Sequence, residues 1–264
     1  MKILAIMGSP RKGDSYQITK VFEEKLNALE KVEFKYLFLK EVNLEYCRGC
    51  CVCMAKGEDF CPAKDTTLKI REEMLNSDGV VFVSPVYAHQ VTALMKNFVD
   101  HFSYVFHRPC FFDKVAMVIS TTGGSGLKEV LSYLEMTARG WGFYVIHKLG
   151  VIAPAFQYAP EYRNKLMNEI DEVARKFFEA IKTKRRPSPD IYDLIFFRAI
   201  RLKIKHTQKY FPCDYRYWKE KGWIDKDYYT DTQINIFKKL YAWFVEKQIE
   251  KGMRKKFKLG SLKR

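Results

Sequence analysis

The chain has 264 residues, 47% hydrophobic and 29% charged, the balance of a soluble globular protein able to bury one large core or two modest ones. No apolar run approaches membrane-spanning length, which excludes a spanning protein. Seven cysteines, five of them between residues 47 and 61, point to metal or redox chemistry rather than a secreted disulfide framework. The net charge of +15 is unevenly spread: residues 1–180 carry 23 Lys+Arg against 22 Asp+Glu, a net of +1, and residues 181–264 carry 23 against 9, a net of +14. The basicity therefore belongs to a C-terminal segment. The chain enters its first strand with no basic leader or small-residue cleavage site, so a cytoplasmic location is expected.

The first strand, Lys2–Met7, opens into Gly8-Ser9-Pro10-Arg11-Lys12-Gly13-Asp14-Ser15, followed by a helical pattern over 16–30 with Ile18, Val21, Phe22 and Leu26 on its apolar side. Glycines allow a tight turn and the coming helix offers its positive end, so this loop can hold a phosphate. Gly8 to Gly13 has the spacing of a nucleotide-hydrolase P-loop, but Asp14 stands where that motif needs lysine. A phosphate monoester needs no such lysine, because Ser9, Arg11, Ser15 and backbone amides can saturate it. An ordinary strand-to-helix turn is the plainer alternative.

Further strands are expected at 34–39, 79–84, 114–121 and 143–152, with helices near 66–77, 90–106, 125–140 and 161–183. Five near-continuous apolar strands separated by helices argue for an α/β fold with a parallel sheet covered on both faces. Ligands of such sheets bind beyond the carboxyl ends of the strands. Three ligand-like loops follow predicted strands: 8–15, then Ser84-Pro85-Val86-Tyr87-Ala88-His89, then Thr121-Thr122-Gly123-Gly124-Ser125-Gly126. Together they describe a ligand with a phosphate at one end and a flat heterocycle at the other. His89, His101 and His107 could donate protons near this rim, although each reads more simply as a structural or surface histidine.

These three segments resemble the flavin-binding loops of the flavodoxin-like NAD(P)H-dependent FMN reductases, and within them the branch that includes the iron–sulfur flavoproteins. The resemblance covers about residues 1–182. It implies a flavodoxin-like five-stranded parallel sheet of order 2-1-3-4-5 with helices on both faces, an FMN cofactor, NAD(P)H as substrate and a dimer or tetramer. By position, Ser9, Arg11, Gly13 and Ser15 would hold the FMN phosphate. Pro85, Val86 and Tyr87 would flank the isoalloxazine, with Thr122, Gly123, Gly124 and Gly126 in the loop at its edge. Asn is common in the family where this chain has Asp14, and capping of the helix is the role expected for that carboxylate.

The cysteines read Cys47-x2-Cys50-x2-Cys53-x7-Cys61, with Cys51 inside and not expected to ligate. Four thiolates in a compact loop suit a 4Fe–4S cluster better than a lone zinc, and the spacing fits the iron–sulfur flavoprotein motif. Free or redox-active thiols in a reducing compartment are the alternative. Cys110 and Cys213 are expected as buried thiols.

Residues 1–184 thus form an expected FMN-binding domain, 185–190 a linker marked by Pro187 and Pro189, and 191–264 an α-helical basic extension. That extension should contain a helix over 191–205, an irregular aromatic stretch over 210–229, a helix around 232–251 and a frayed final dozen. Its basic and aromatic residues could bind nucleic acid or an anionic membrane surface. A helical cap with its apolar face packed on the flavodoxin core or on a neighbouring subunit is favoured, because so much apolar surface calls for burial. In that arrangement residues 210–229, Trp218 and Trp223 among them, could roof the flavin site and restrict substrates. The function expected is an FMN-dependent oxidoreductase that passes electrons from NAD(P)H or a reduced carrier to a small-molecule acceptor such as a quinone or flavin. The alternative is a non-catalytic iron–sulfur flavoprotein that carries electrons between proteins, one partner being of ferredoxin type. In neither case need a side chain do covalent work.

Overall fold

The computed structural model describes residues 1–154, 157 and 159–257, with the backbone alone for 256 and 257. The described residues divide into two compact units, one within residues 1–50 and 62–186 and one within 51–61 and 187–257.

The first unit is built on five parallel strands in the order β2-β1-β3-β4-β5: β1 (Lys2–Met7), β2 (Glu33–Phe38), β3 (Gly79–Val83), β4 (Val115–Thr122) and β5 (Tyr144–Ile152). In β3 and β4 every residue is buried. Such strands cannot alternate polar with apolar positions, which explains their unbroken Val/Ile/Phe/Met character. The register runs Ile3 to Gly79, Gly79 to Val115 and Val115 to Tyr144, with a slip between Ala116 and Met117.

Helices α1 (Asp14–Leu29) and α6 (Pro160–Thr183) present Ile18, Phe22 and Leu26, and Ile170, Val173, Ala174 and Phe177, to a shared core with the central strands. These positions recur at three- and four-residue intervals, the helical period that one buried face demands. Gly79 starts β3 because the Phe177 ring lies against it. A Cβ there would sit 2.5 Å from Phe177 Cζ and 2.9 Å from Ile181 Cδ1. Three further helices complete the unit: α3 (Thr67–Leu75), α4 (Ala93–His101) and α5 (Leu127–Gly140). The segment expected as one helix over 90–106 is divided, with α4 followed by a 3-10 turn at Ser103–Phe106.

The second unit contains α2 (Val52–Ala55), α7 (Ile191–Thr207), α8 (Pro212–Glu220) and α9 (Ile236–Phe257). Asp190 caps α7 by accepting from the Asp193 amide at 2.9 Å, while its own amide donates to the Asp193 carboxylate at 3.2 Å, a reciprocal capping box. The stretch expected to be irregular over 210–229 contains α8, started by Pro212 at its first position. Trp218 and Trp223 are buried with Phe197, Tyr228 and Tyr229 in a mutually stacked and edge-to-face cluster. The Trp223 indole N–H donates to the Tyr229 carbonyl at 2.9 Å. Both indoles are core residues of this unit. The Phe237, Leu240, Tyr241 and Phe244 side chains of α9 are exposed on the single chain. The frayed dozen falls in part on residues 258–264, which lie outside the described residues.

Candidate functional site

Strand order reverses between β1 and β3: the chain leaves β1 for β2 on one side and reaches β3 on the other. At the carboxyl ends of β1, β3 and β4 a cleft of about 110 Å³ opens, walled by residues of all three loops singled out in the sequence. The first loop contributes Ser9, Arg11, Gly13 and Ser15; the second contributes Pro85, Val86 and Tyr87; the third contributes Thr122 and Gly123. Gly124 and Gly126 lie off this wall. Ala153, also on the wall, lies outside every motif of the sequence reading, Thr121 has no role of its own there within the third loop, and Asp14 stands as a wall rather than a cap.

The anion end is built from the turn into α1. Gly13, not Asp14, is the N-cap, and no side chain caps the helix. Asp14 is the first residue of the helix itself, one position later than the capping role requires. The uncapped first turn therefore leaves main-chain donors to an anion. Ser9 Oγ donates to the Arg11 carbonyl at 2.6 Å and accepts from the Arg11 amide at 3.2 Å, which closes the loop on itself and leaves the Arg11 side chain exposed beside the cleft. Ser15 is buried, with its hydroxyl 2.6 Å from that of Thr121, and so joins the first loop to the end of β4. One hydroxyl, one guanidinium and an uncapped helix start fit a phosphate monoester, while Asp14 is the one carboxylate on the wall.

The other end is held by contacts between the second and third loops. Val86 N–H donates to the Thr121 carbonyl at 2.8 Å, and Tyr87 pairs with Gln90 across a tight turn whose Ala88 and His89 have φ of +48° and +60°. Thr122 Oγ1 donates to the Ser125 carbonyl at 2.7 Å and accepts from Gly124 N–H at 3.2 Å, which fixes the glycine turn. Gly126 is the N-cap of α5, at φ +91°. A Cβ there would meet Val86 Cγ1 at 2.7 Å and His89 Cα at 3.1 Å. Its place off the wall thus still governs how closely the two loops approach. Tyr87 is 43% exposed, an aromatic side chain left at the rim.

A residue that the sequence reading missed stitches the first loop to the second. Thr92 caps α4 by accepting from Met95 N–H at 3.2 Å, donates to the Gly8 carbonyl at 2.6 Å, and its amide donates to Ser84 Oγ at 3.2 Å. None of the three histidines lies on the cleft wall. His89 is exposed with its Nε2 3.3 Å from Ser125 Oγ, and His101 and His107 are buried. His101 Nε2 is 3.5 Å from the Asp65 carboxylate, which accepts from the Glu45 amide at 3.1 Å.

Cys47 and Cys50 belong to the first unit, and Cys51, Cys53 and Cys61 to the second. Cys47, Cys50 and Cys51 are exposed, while Cys53 and Cys61 are half-buried. No group of three or more metal-ligating side chains is gathered among the described residues. The approach to Cys47 is anchored by Asn97 of α4, whose side chain accepts from the Cys47 amide at 3.2 Å and donates to the Glu45 carbonyl at 2.9 Å. Asn97→Ala is expected to speed amide exchange at Cys47 by about 5–10-fold, the worth of a hydrogen bond of about 1 kcal/mol. Residue-resolved hydrogen exchange checks it, and unchanged protection would show that the anchor contributes nothing. In the second unit, burial holds the Lys203 pKa below the ordinary lysine value, opposed by the nearby Asp214 and Cys51. Cys110 and Cys213, expected to be buried, are half-buried.

The fold and its cleft define a flavodoxin-like protein. The profile of the NADPH-dependent FMN reductase family matches residues 1–157. An "Iron-sulfur flavoprotein" of Archaeoglobus fulgidus is 32% identical over 228 residues, covering 85% of this chain and all of that protein. A second "Iron-sulfur flavoprotein", from Clostridioides difficile, is 30% identical over 230 residues, with the same coverage of each. Among solved structures, a "flavone reductase" aligns with a TM-score of 0.53 at 20% identity over 69% of this chain and 63% of its own, a likeness of fold. The chain belongs to the NADPH-dependent FMN reductase family, in its iron–sulfur flavoprotein branch.

Proposed function

We propose that this flavoprotein is an FMN-dependent oxidoreductase that takes electrons from NAD(P)H or a reduced carrier and delivers them to a small acceptor of quinone or flavin type. The observation that carries this reading is the convergence of three glycine- or proline-bearing loops on one cleft at the strand-order reversal, with phosphate-binding chemistry at one end. Bound there, FMN would supply hydride acceptance and single-electron release.

The chain's own residues bind and orient. Arg11, Ser9 and the α1 amides neutralise and position a phosphate. Pro85, Val86 and Tyr87 bound a planar ring on one side, with Thr122, Gly123 and Gly124 along its edge and Gly126 setting the spacing of those two loops. The Tyr87 side chain shields one edge from water. In this proposal residues 1–184 are the flavin-binding domain, 185–190 a linker and 191–264 a helical extension. The protein works as a dimer or tetramer in the cytoplasm, where thiols stay reduced.

Cys47, Cys50, Cys53 and Cys61 are proposed as ligands of a 4Fe–4S cluster. Their thiols are the donor chemistry such clusters take, and thiolate sites commonly close on binding the metal. This motif, together with the names of the two relatives, favours a second reading, an electron carrier between protein partners. Steady-state turnover separates the two. Rapid NAD(P)H oxidation coupled to a quinone supports the enzyme, whereas reduction only by a protein of ferredoxin type supports the carrier.

A further inference from the structure

We propose that α9 is a membrane-surface helix that docks the protein on anionic phospholipid. The helix is turned inside out relative to an ordinary amphipathic one. Its inward stripe is anchored by charge: Glu246 is 8% exposed and accepts from Arg198 Nη1 at 2.7 Å and from Arg201 Nη2 at 2.8 and 3.0 Å, beside the buried Ala242. Its outward face carries Ile236, Phe237, Leu240, Tyr241, Trp243 and Phe244, each at least half exposed and Phe237 76% exposed. A helix held by packing alone would hide these six side chains and leave its ions in water.

The outward face is also divided along its length. The apolar side chains fill the first turns, and Lys247, Lys251, Arg254 and Lys255 follow on the same exposed side. Aromatic and aliphatic groups beside a row of cations are what a bilayer interface takes up, with the rings among acyl chains and the cations at anionic headgroups. No described helix is long and apolar enough to cross a membrane, so the contact lies in the plane of the surface.

Charge selects lipid over a second copy. Pairing two copies through this face would bring together segments of +14 each, whereas an anionic surface neutralises them. The aliphatic Ile236 and Leu240 in the patch favour acyl chains over the stacked bases that a nucleic-acid platform would hold.

Trp243 supplies a built-in reporter. Of the four tryptophans it alone is exposed, since Trp141, Trp218 and Trp223 are 0%, 0% and 5% exposed. The full-length holoprotein is mixed with vesicles of phosphatidylcholine alone or enriched in phosphatidylglycerol, at low and high salt, and followed by tryptophan emission and sedimentation. The expected result is a blue shift and co-sedimentation with the phosphatidylglycerol vesicles only, weakened by salt. Phe237→Ser with Phe244→Ser should lower the partition coefficient by ~10-fold or more without altering the flavin spectrum or melting temperature. Either of two results would overturn the proposal: no shift and no sedimentation, or equal binding by the double variant. So would loss of a dimer in the double variant without vesicle binding, which assigns the face to a second copy, or retention of RNA without vesicle binding.

Discussion

Glu246→Ala is expected to destabilise the second unit by about 3–5 kcal/mol, because it strands two buried cations. Arg198 and Glu246 side chains are 6% and 10% exposed, and Arg201 is 11% exposed. Two guanidinium groups converge on one carboxylate, and Arg198 alone has a second carboxylate, Asp227 at 2.8 Å. Arg201 Nη1 also donates to the Lys226 carbonyl. With the Glu246 carboxylate gone, that carbonyl and Asp227 are the polar partners left to these cations, and neither restores the lost pairing. Urea denaturation followed by near-ultraviolet circular dichroism, which reads the Trp218–Trp223–Tyr229 cluster, measures the loss. Replacing Arg198, Arg201 and Glu246 together by apolar residues of similar size should cost far less, since no buried charge is then left behind. A single variant as stable as the parent would show that water reaches these groups and that the ion pairs are not what fixes α9.

Gly126→Val is expected to lower FMN affinity about 10–100-fold, the equivalent of roughly 1.4–2.7 kcal/mol of loop displacement and backbone strain. At φ +91° an L-residue is strained, and the added Cβ would lie 3.1 Å from backbone at His89. Val86 can swing its methyl away, but the His89 backbone must move, and with it the loop that ends β3. Titration of apoprotein with FMN, followed by quenching of flavin emission, checks this. Gly124→Ala is the control for fold: nothing lies within 4 Å of its Cβ and its φ is not positive, so its melting temperature should match the parent's. Unchanged FMN affinity in Gly126→Val would mean that the spacing of the 85–89 and 121–126 loops does not shape the site.

Much of the first unit is legible in the chain because its signals are local. Strands buried on both faces announce themselves as unbroken apolar runs, and glycine-rich turns directly after them mark the carboxyl edge of the sheet. Two kinds of residue escape such a reading. Thr92 lies between Val91 and Ala93 with nothing local to mark it, and becomes a cross-link only once folding brings Gly8 and Ser84 to it. Thr121 gains its role in the same way, through Ser15 more than a hundred residues away. Asp14 shows the opposite error: a good capping residue in the right neighbourhood, displaced by one position because Gly13 adopts the extended cap conformation.

The second unit is harder to read for a different reason. Aromatic density over 210–229 hides a helix, because Tyr and Trp at α8 positions have weak helix propensity and are placed by packing. Along α9 the period of 3.6 is present, but periodicity alone says which residues share a face, not which face turns inward. The usual assumption that apolar means inward fails where Arg198 and Arg201 meet Glu246. Nor does chain order predict that residues 51–61 group with residues from 187 onward.

The most direct measurement is the absorption spectrum of protein purified without oxygen, followed by titration of the stripped protein with FMN. The account predicts flavin bands at one FMN per chain, tight rebinding, and at least ~10-fold weaker rebinding in Arg11→Ala, where one charge-assisted phosphate contact is lost. Colourless protein that fails to take up FMN, or an Arg11→Ala variant that binds it as well as the parent, would contradict the assignment of the cleft.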